Sequence, residues 1–244
     1  MDIMAKIVLV ALGLMFAPPQ STREYFQHMV GQRLILRHFA GSSNPIVKGK
    51  DLSSTKRGCD EAVEVTAIAF EKSSILFQLR NIGVPSIGKK SDACAKADMY
   101  SFRIIDFDIN QPREQVESAI GQVLQTPEAY LAALGIQWDP PPFVENEAPV
   151  DPSRPGLTAA KVLLSVNPYY SHANREAHVQ GSLTITCSVG TDGLIHDPVI
   201  KQGLTEELNK LALDALTFWR IQPARDGAHA VPIKAIQQFS FRLY

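Results

Sequence analysis

The sequence predicts an α+β chain, and three observations carry that expectation. "GSLTITCSV", from Gly181, alternates apolar and hydroxyl-bearing residues. The next stretch repeats Leu208, Leu211, Ala212, Ala215, Leu216 and Trp219 at spacings of three and four. "AVPIKAIQQFSFRLY" then alternates again, with Val231, Ile233, Ala235, Phe239, Phe241 and Leu243 on one side and only Gln237 interrupting them. A period of two marks a strand with one buried face, and a period near 3.6 marks a helix with one buried stripe. The C-terminal part is therefore read as a three-stranded antiparallel sheet covered by two helices. An N-terminal strand-rich α+β domain precedes it.

Composition narrows the function. The 244 residues suit one or two domains, and a hydrophobic fraction of 45% supplies enough core. A net charge of −1 gives no reason to expect the basic face that a phosphate backbone needs, so nucleic acid is not an expected partner, although a local basic patch stays compatible with it. Residues 1–21 read as a signal peptide or a short N-terminal anchor. Lys6 precedes an apolar run from Ile7 to Ala17, which has the length of a signal-peptide core and is too short to span a bilayer. A periplasmic or secreted protein is expected, and an inner-membrane anchor facing the periplasm is the alternative. The three cysteines, Cys59, Cys94 and Cys187, form no CxxC pair. In an exported chain Cys59 and Cys94 are a disulfide candidate; three separate buried thiols are the other reading. Cys187 lies on the apolar side of its strand and reads as a small core residue.

Residues 22–136 form the strand-rich domain, whose function stays open. "GQRLILRHFA" and "MYSFRIIDFDI" read as strands, and "EAVEVTAIAF" with "SILFQLRNIG" as a hairpin. Asp106 and Asp108 share one strand face, which is the usual pattern of a solvated face rather than a metal site. Val116, Ile120, Val123 and Leu124 suggest a helical stripe, and a second helix opens at Thr126-Pro127 and stops at Gly135. Residues 137–156 carry six prolines and a net acidic charge. Prolines withhold backbone donors and favour an extended chain, so this stretch is read as an inter-domain linker. A loop packed on one domain is the other reading.

Residues 157–244 carry the sharper signals. Asp192-Gly193 suits the positive φ of a hairpin turn, and Pro198 in the return strand points to an edge or a bulge. Thr205 is placed to cap the helix. Trp219 is read as the last member of the helix stripe, and Arg220 and Arg225 as exposed cations. Pro168, Tyr170, Ala173, Gly181, the Thr191-Asp192-Gly193 turn, the helix, and Trp219-x-Ile221-x-Pro223 in order resemble the C-terminal domain of TonB proteins. The likeness covers about Leu163 to Tyr244, and Ser171 stands where the family usually has a second proline.

The resemblance implies strand addition, in which the last strand, Gln237, Gln238, Phe239, Ser240, Phe241 and Arg242 onward, pairs with an extended segment of a protein partner such as an outer-membrane receptor. It also implies contacts at Asn167 and Pro168, where family members carry a Gln-Pro pair. A homodimer through the last strand is a second arrangement. The short N-terminus and brief spacer favour a binding protein over a proton-driven energy transducer, which remains the alternative. No catalytic signature, cofactor or metal motif is present, so an enzyme is not expected; a site in the first domain using His38 or Asp106 is the third reading.

Overall fold

The computed structural model describes residues 22–37, 47–49, 60–71, 74–87, 98–105, 117–118, 120–145 and 147–243. Residues 1–21, His38, Cys59, Cys94, Asp106, Asp108 and Val116 lie outside this set, so the readings placed on them stay expectations. In chain order the elements are α1 (Thr22–Gln27), β1 (Arg33–Leu36), β2 (Val47–Gly49), β3 (Glu61–Phe70), β4 (Ser74–Ser86), β5 (Met99–Ile105), β6 (Leu124–Gln125) and α2 (Pro127–Ala133). Then come β7 (Leu157–Thr158), β8 (Lys161–Pro168), α3 (His172–Glu176), β9 (Gly181–Val189), β10 (Ile195–Gln202) and α4 (Glu206–Leu216). The chain ends with β11 (Arg220–Gln222), β12 (Ala224–Asp226), β13 (His229–Val231) and β14 (Ile233–Phe241).

The expected hairpin is β3–β4, antiparallel from Phe70↔Ile75 to Ala62↔Gly83. Val63, Val65, Phe77 and Leu79 are fully buried, and Phe26 of α1 meets Phe77 edge-on at 5.8 Å. α2 starts where its caps demand: Thr126 Oγ1 accepts from the Ala129 N–H, and Gly135 takes φ +72° beyond the last turn. The helical stripe before it stops short. Leu124 is in β6 and pairs with Leu36, because the edge of β1 supplies the hydrogen bonds that a further helical turn would have supplied.

One eight-stranded sheet runs β11-β8-β4-β3-β1-β6, with β5 paired to β4 and to β2. β4 is long enough to serve two partners in succession. Its first half pairs with β5, and Gly83–Ser86 pairs with Pro168–Ser165 of β8. Residues from both sides of 137–156 thus share a sheet, and they share a core: Ile35, Ala62, Ile82 and Leu131 pack with Leu164, Leu208, Leu216 and Phe218. An ionic network binds the same seam. Asp214 of α4, 5% exposed, accepts from Arg33 at 2.5 Å and Arg80 at 2.8 Å, and Arg80 also donates to Glu64. Burial works against the Arg80 charge, but its two carboxylate partners outweigh that and hold its pKa above the ordinary value.

The stretch 137–156 runs extended and is pinned to the C-terminal half. Trp138 Nε1 donates to the Ile221 carbonyl at 3.2 Å. Thr191 Oγ1 donates to the Pro142 carbonyl and accepts from the Val144 N–H. Phe143 stacks on His196 at 4.2 Å, and Val150 bridges to Ile233.

Candidate partner-binding edge

Among the described residues the three-stranded sheet has the order β10-β9-β14, with β14 at an edge. Local sequence builds it. Gly190–Gly193 closes the β9–β10 hairpin with Gly193 at φ +70°, where a Cβ would sit 2.0 Å from the Ile221 carbonyl oxygen. Pro198 sits in a register shift between His196 and Val199, with Asp197 at φ +49°, so β10 bulges where its donor is missing. Beneath the sheet, α4 is capped by Thr205 and buries Leu208, Leu211, Ala212, Ala215 and Leu216. Ser171 caps α3 by accepting from the Asn174 N–H, so the serine at the family's proline position has a structural task. Asn174 then joins both caps: its amide donates to Ser171 Oγ and Glu207, and its carbonyl accepts from Thr205.

β14 pairs with β9 from Ile233↔Val189 to Phe241↔Gly181. Phe239 and Phe241 are each 4% exposed on the inner face. Phe239 meets Trp219 edge-on at 6.4 Å, and Phe241 meets Tyr170 at 5.5 Å. Trp219 lies just past the end of α4 and donates to the Val166 carbonyl at 3.3 Å, which fixes its ring between helix and sheet. Arg220 corrects the expectation of an exposed cation. It is 8% exposed, donates to Glu128 of α2 at 2.6 Å, and lies over the Trp138 ring at 5.3 Å. Arg225 donates to the Ala228 carbonyl.

The outer edge of β14 has a definite polarity. The Lys234 N–H donates to the Val150 carbonyl at 3.0 Å, away from β9, and the Val150 N–H donates to the Pro232 carbonyl. Backbone groups alternate between the two edges of a strand, so Ile236, Gln238 and Ser240 also point outward. Pro152 follows Asp151 and cannot continue this pairing, and Asp151 instead accepts from Ser153 and starts a turn. Among the described residues, Val150 therefore covers only the start of the edge. The Gln237 amide donates to the Gln238 carbonyl at 2.9 Å, which accounts for the one polar interruption of the inner face. At the far end the Leu243 N–H donates to the Gln180 side chain.

The expected contact residues do not share one strand. Gln237 to Phe241 lie on the open edge and Arg242 is exposed just beyond it. Asn167 and Pro168 belong to β8, where Asn167 pairs with Val84 and Pro168 with Gly83; the Asn167 side chain stays exposed. Periodicity identified β14 but carried no signal for Val150 or for β8, whose only mark is the weakly alternating "KVLLSVNP".

Cys187 is half-buried, and burial pushes its thiol pKa up. The protonated thiol is thus favoured in the fold. That contribution is intact below the ordinary thiol value of about 8.5 and is lost as pH rises through the raised folded value. Site-resolved iodoacetamide labelling at pH 7 is expected to modify Cys187 at least about tenfold more slowly in native protein than in urea. Equal rates would refute a buried thiol. Among the described residues, no group of three or more His, Cys, Asp or Glu is placed to hold a metal.

Residues 166–243 match the family model described as Gram-negative bacterial TonB protein C-terminal. The C-terminal third has the TonB C-terminal domain fold. A solution NMR structure of the Pseudomonas aeruginosa TonB CTD aligns with 38% of this chain and 93% of its own, at 19% identity and a TM-score of 0.32. None of the curated proteins compared matches the chain. The matched residues include β9, β10, α4 and β14, the elements that form the edge. No helix among the described residues is long and apolar enough to cross a membrane.

Proposed function

We propose that this protein is an exported, envelope-associated, non-enzymatic binding protein that holds a protein partner by strand addition along β14. The observation that carries the reading is the outward run of backbone groups at Ile236, Gln238 and Ser240, on a strand whose other edge is paired to β9 throughout. An extended partner segment laid there gains main-chain hydrogen bonds, and alternate side chains supply selectivity. The TonB C-terminal match supports a transport-related role and a segment of an outer-membrane protein as the partner. Asn167 contributes only through its side chain, because its backbone is paired to β4.

Proline removes a donor but is tolerated on an open edge, where that donor holds no internal bond. Gln238→Pro and Ser240→Pro are therefore expected to abolish capture of an outer-membrane protein by the full chain while leaving the melting temperature nearly unchanged. Capture that survives both substitutions sinks strand addition through this segment. Export is tested separately by cell fractionation and mass spectrometry of the N-terminus. A soluble periplasmic product processed near Ala17 supports the binding protein, and an intact N-terminus in the inner membrane returns the energy transducer.

A further inference from the structure

We infer that the open edge selects an extended segment with an apolar, β-branched side chain opposite Ile236 and an acidic side chain six residues away, opposite Arg242. The inference rests on the strand-addition reading and names the partner chemistry of that edge. The solvent face of the sheet is polar along most of its length, with Ser182 and Thr184 on β9 and Lys234, Gln238 and Ser240 on β14. Ile236 breaks it, at 74% exposure. Ile236 is opposite Thr186, and Thr186 is opposite Val199, itself 50% exposed. These side chains form one row across three strands, and the row ends at the open edge. Directly opposed side chains on neighbouring strands touch, and aliphatic pairs there stabilise a sheet. An added strand continues the row at that position and covers Ile236.

Charge sets the other end. Lys234 is exposed on this side of β14, Arg242 is exposed just past its end, and the strand holds no acid. Lys234 lies in the field of Asp151, whereas Arg242 has no acidic partner among the described residues. Val150 holds the Lys234 N–H, so an incoming segment starts at Ile236 and runs toward Arg242. It must also displace the Gln237 amide from the Gln238 carbonyl. That exchange of one hydrogen bond for another leaves the side-chain pairs to decide which segment stays.

The test uses the full chain and fluorescein-labelled nine-residue Ser/Thr peptides with Val and Glu six positions apart, read by fluorescence anisotropy. Changing the peptide Val to Ser is expected to weaken binding about fivefold. Ile236→Thr in the protein is expected to erase that difference, and Arg242→Gln to erase the effect of changing Glu to Gln. Peptides with the two residues in opposite order are expected to differ in affinity, which assigns a parallel or antiparallel partner. Binding that ignores the Val change overturns the inference, and if Gln238→Pro still abolishes that binding, strand addition itself stands. Binding indifferent to Gln238→Pro overturns both. No peptide binding overturns the inference, and a dimer broken by Gln238→Pro would then assign the edge to a second copy.

Discussion

Gly83→Ala is expected to lower the stability of the whole chain by about 3 kcal/mol or more, as forced overpacking does. A Cβ at Gly83 would sit 2.0 Å from the Asn167 carbonyl oxygen and 2.9 Å from Val166 Cγ1. The first neighbour is backbone and cannot rotate aside. Either β4 or β8 must move by more than an ångström, which breaks the Gly83↔Pro168 pairing and the adjacent Tyr169 N–H to Ile82 carbonyl bond of 2.8 Å. Because β4 also carries β3 and β5, the strain reaches both halves of the sheet. In a chain of this length the melting temperature should fall by roughly 10 °C. Thermal unfolding followed by circular dichroism measures it, and limited proteolysis should show earlier cutting between residues 86 and 161. An unchanged melting temperature would mean that β4 and β8 do not pair this closely in solution.

Asp214→Ala carries the second large effect. It removes the one carboxylate that Arg33 and Arg80 share and leaves both guanidiniums against the sheet. Breaking a buried ion pair costs about 3–5 kcal/mol, because the surviving charge has lost its solvation and its partner. The lower end applies, since the Arg33 and Arg80 side chains keep 34% and 23% of their surface in water and Arg80 retains Glu64. A double-mutant cycle with Arg80→Met isolates the coupling, expected at about 1–2 kcal/mol. Additive losses would show that Asp214 acts only through packing of α4. The Asp214→Ala variant should also expose the seam between α4 and β4, giving faster amide exchange in Ile82 and Tyr169 than in Leu183.

Much of the candidate site was legible along the chain. The last strand, its buried Phe239 and Phe241, and the hairpin at Asp192-Gly193 follow from period, turn chemistry and handedness, all of which act within a few residues. The helix caps at Thr126 and Thr205 are equally local. Trp219 and Arg220 show where such reading stops. The stripe ends with the helix at Leu216, so Trp219, just beyond it, is only partly buried against the core, and nothing near Arg220 indicates Glu128, which lies 92 residues away in sequence. The free energy of that contact depends on a distance that only the fold creates.

Short-range signals set the inward faces of β9, α4 and β14, the starts of the capped helices and the β9–β10 turn, because side-chain period and backbone φ preferences are properties of short segments. Only the tertiary structure decided which edges meet. Backbone donors and acceptors are the same for every residue but proline, so little in β8 itself names its partner strand; the close approach allowed by Gly83 and the charges of Arg33, Arg80 and Asp214 favour β4. The same geometry laid Val150 across the start of β14 and, among the described residues, left Ile236 to Ser240 open to an added strand.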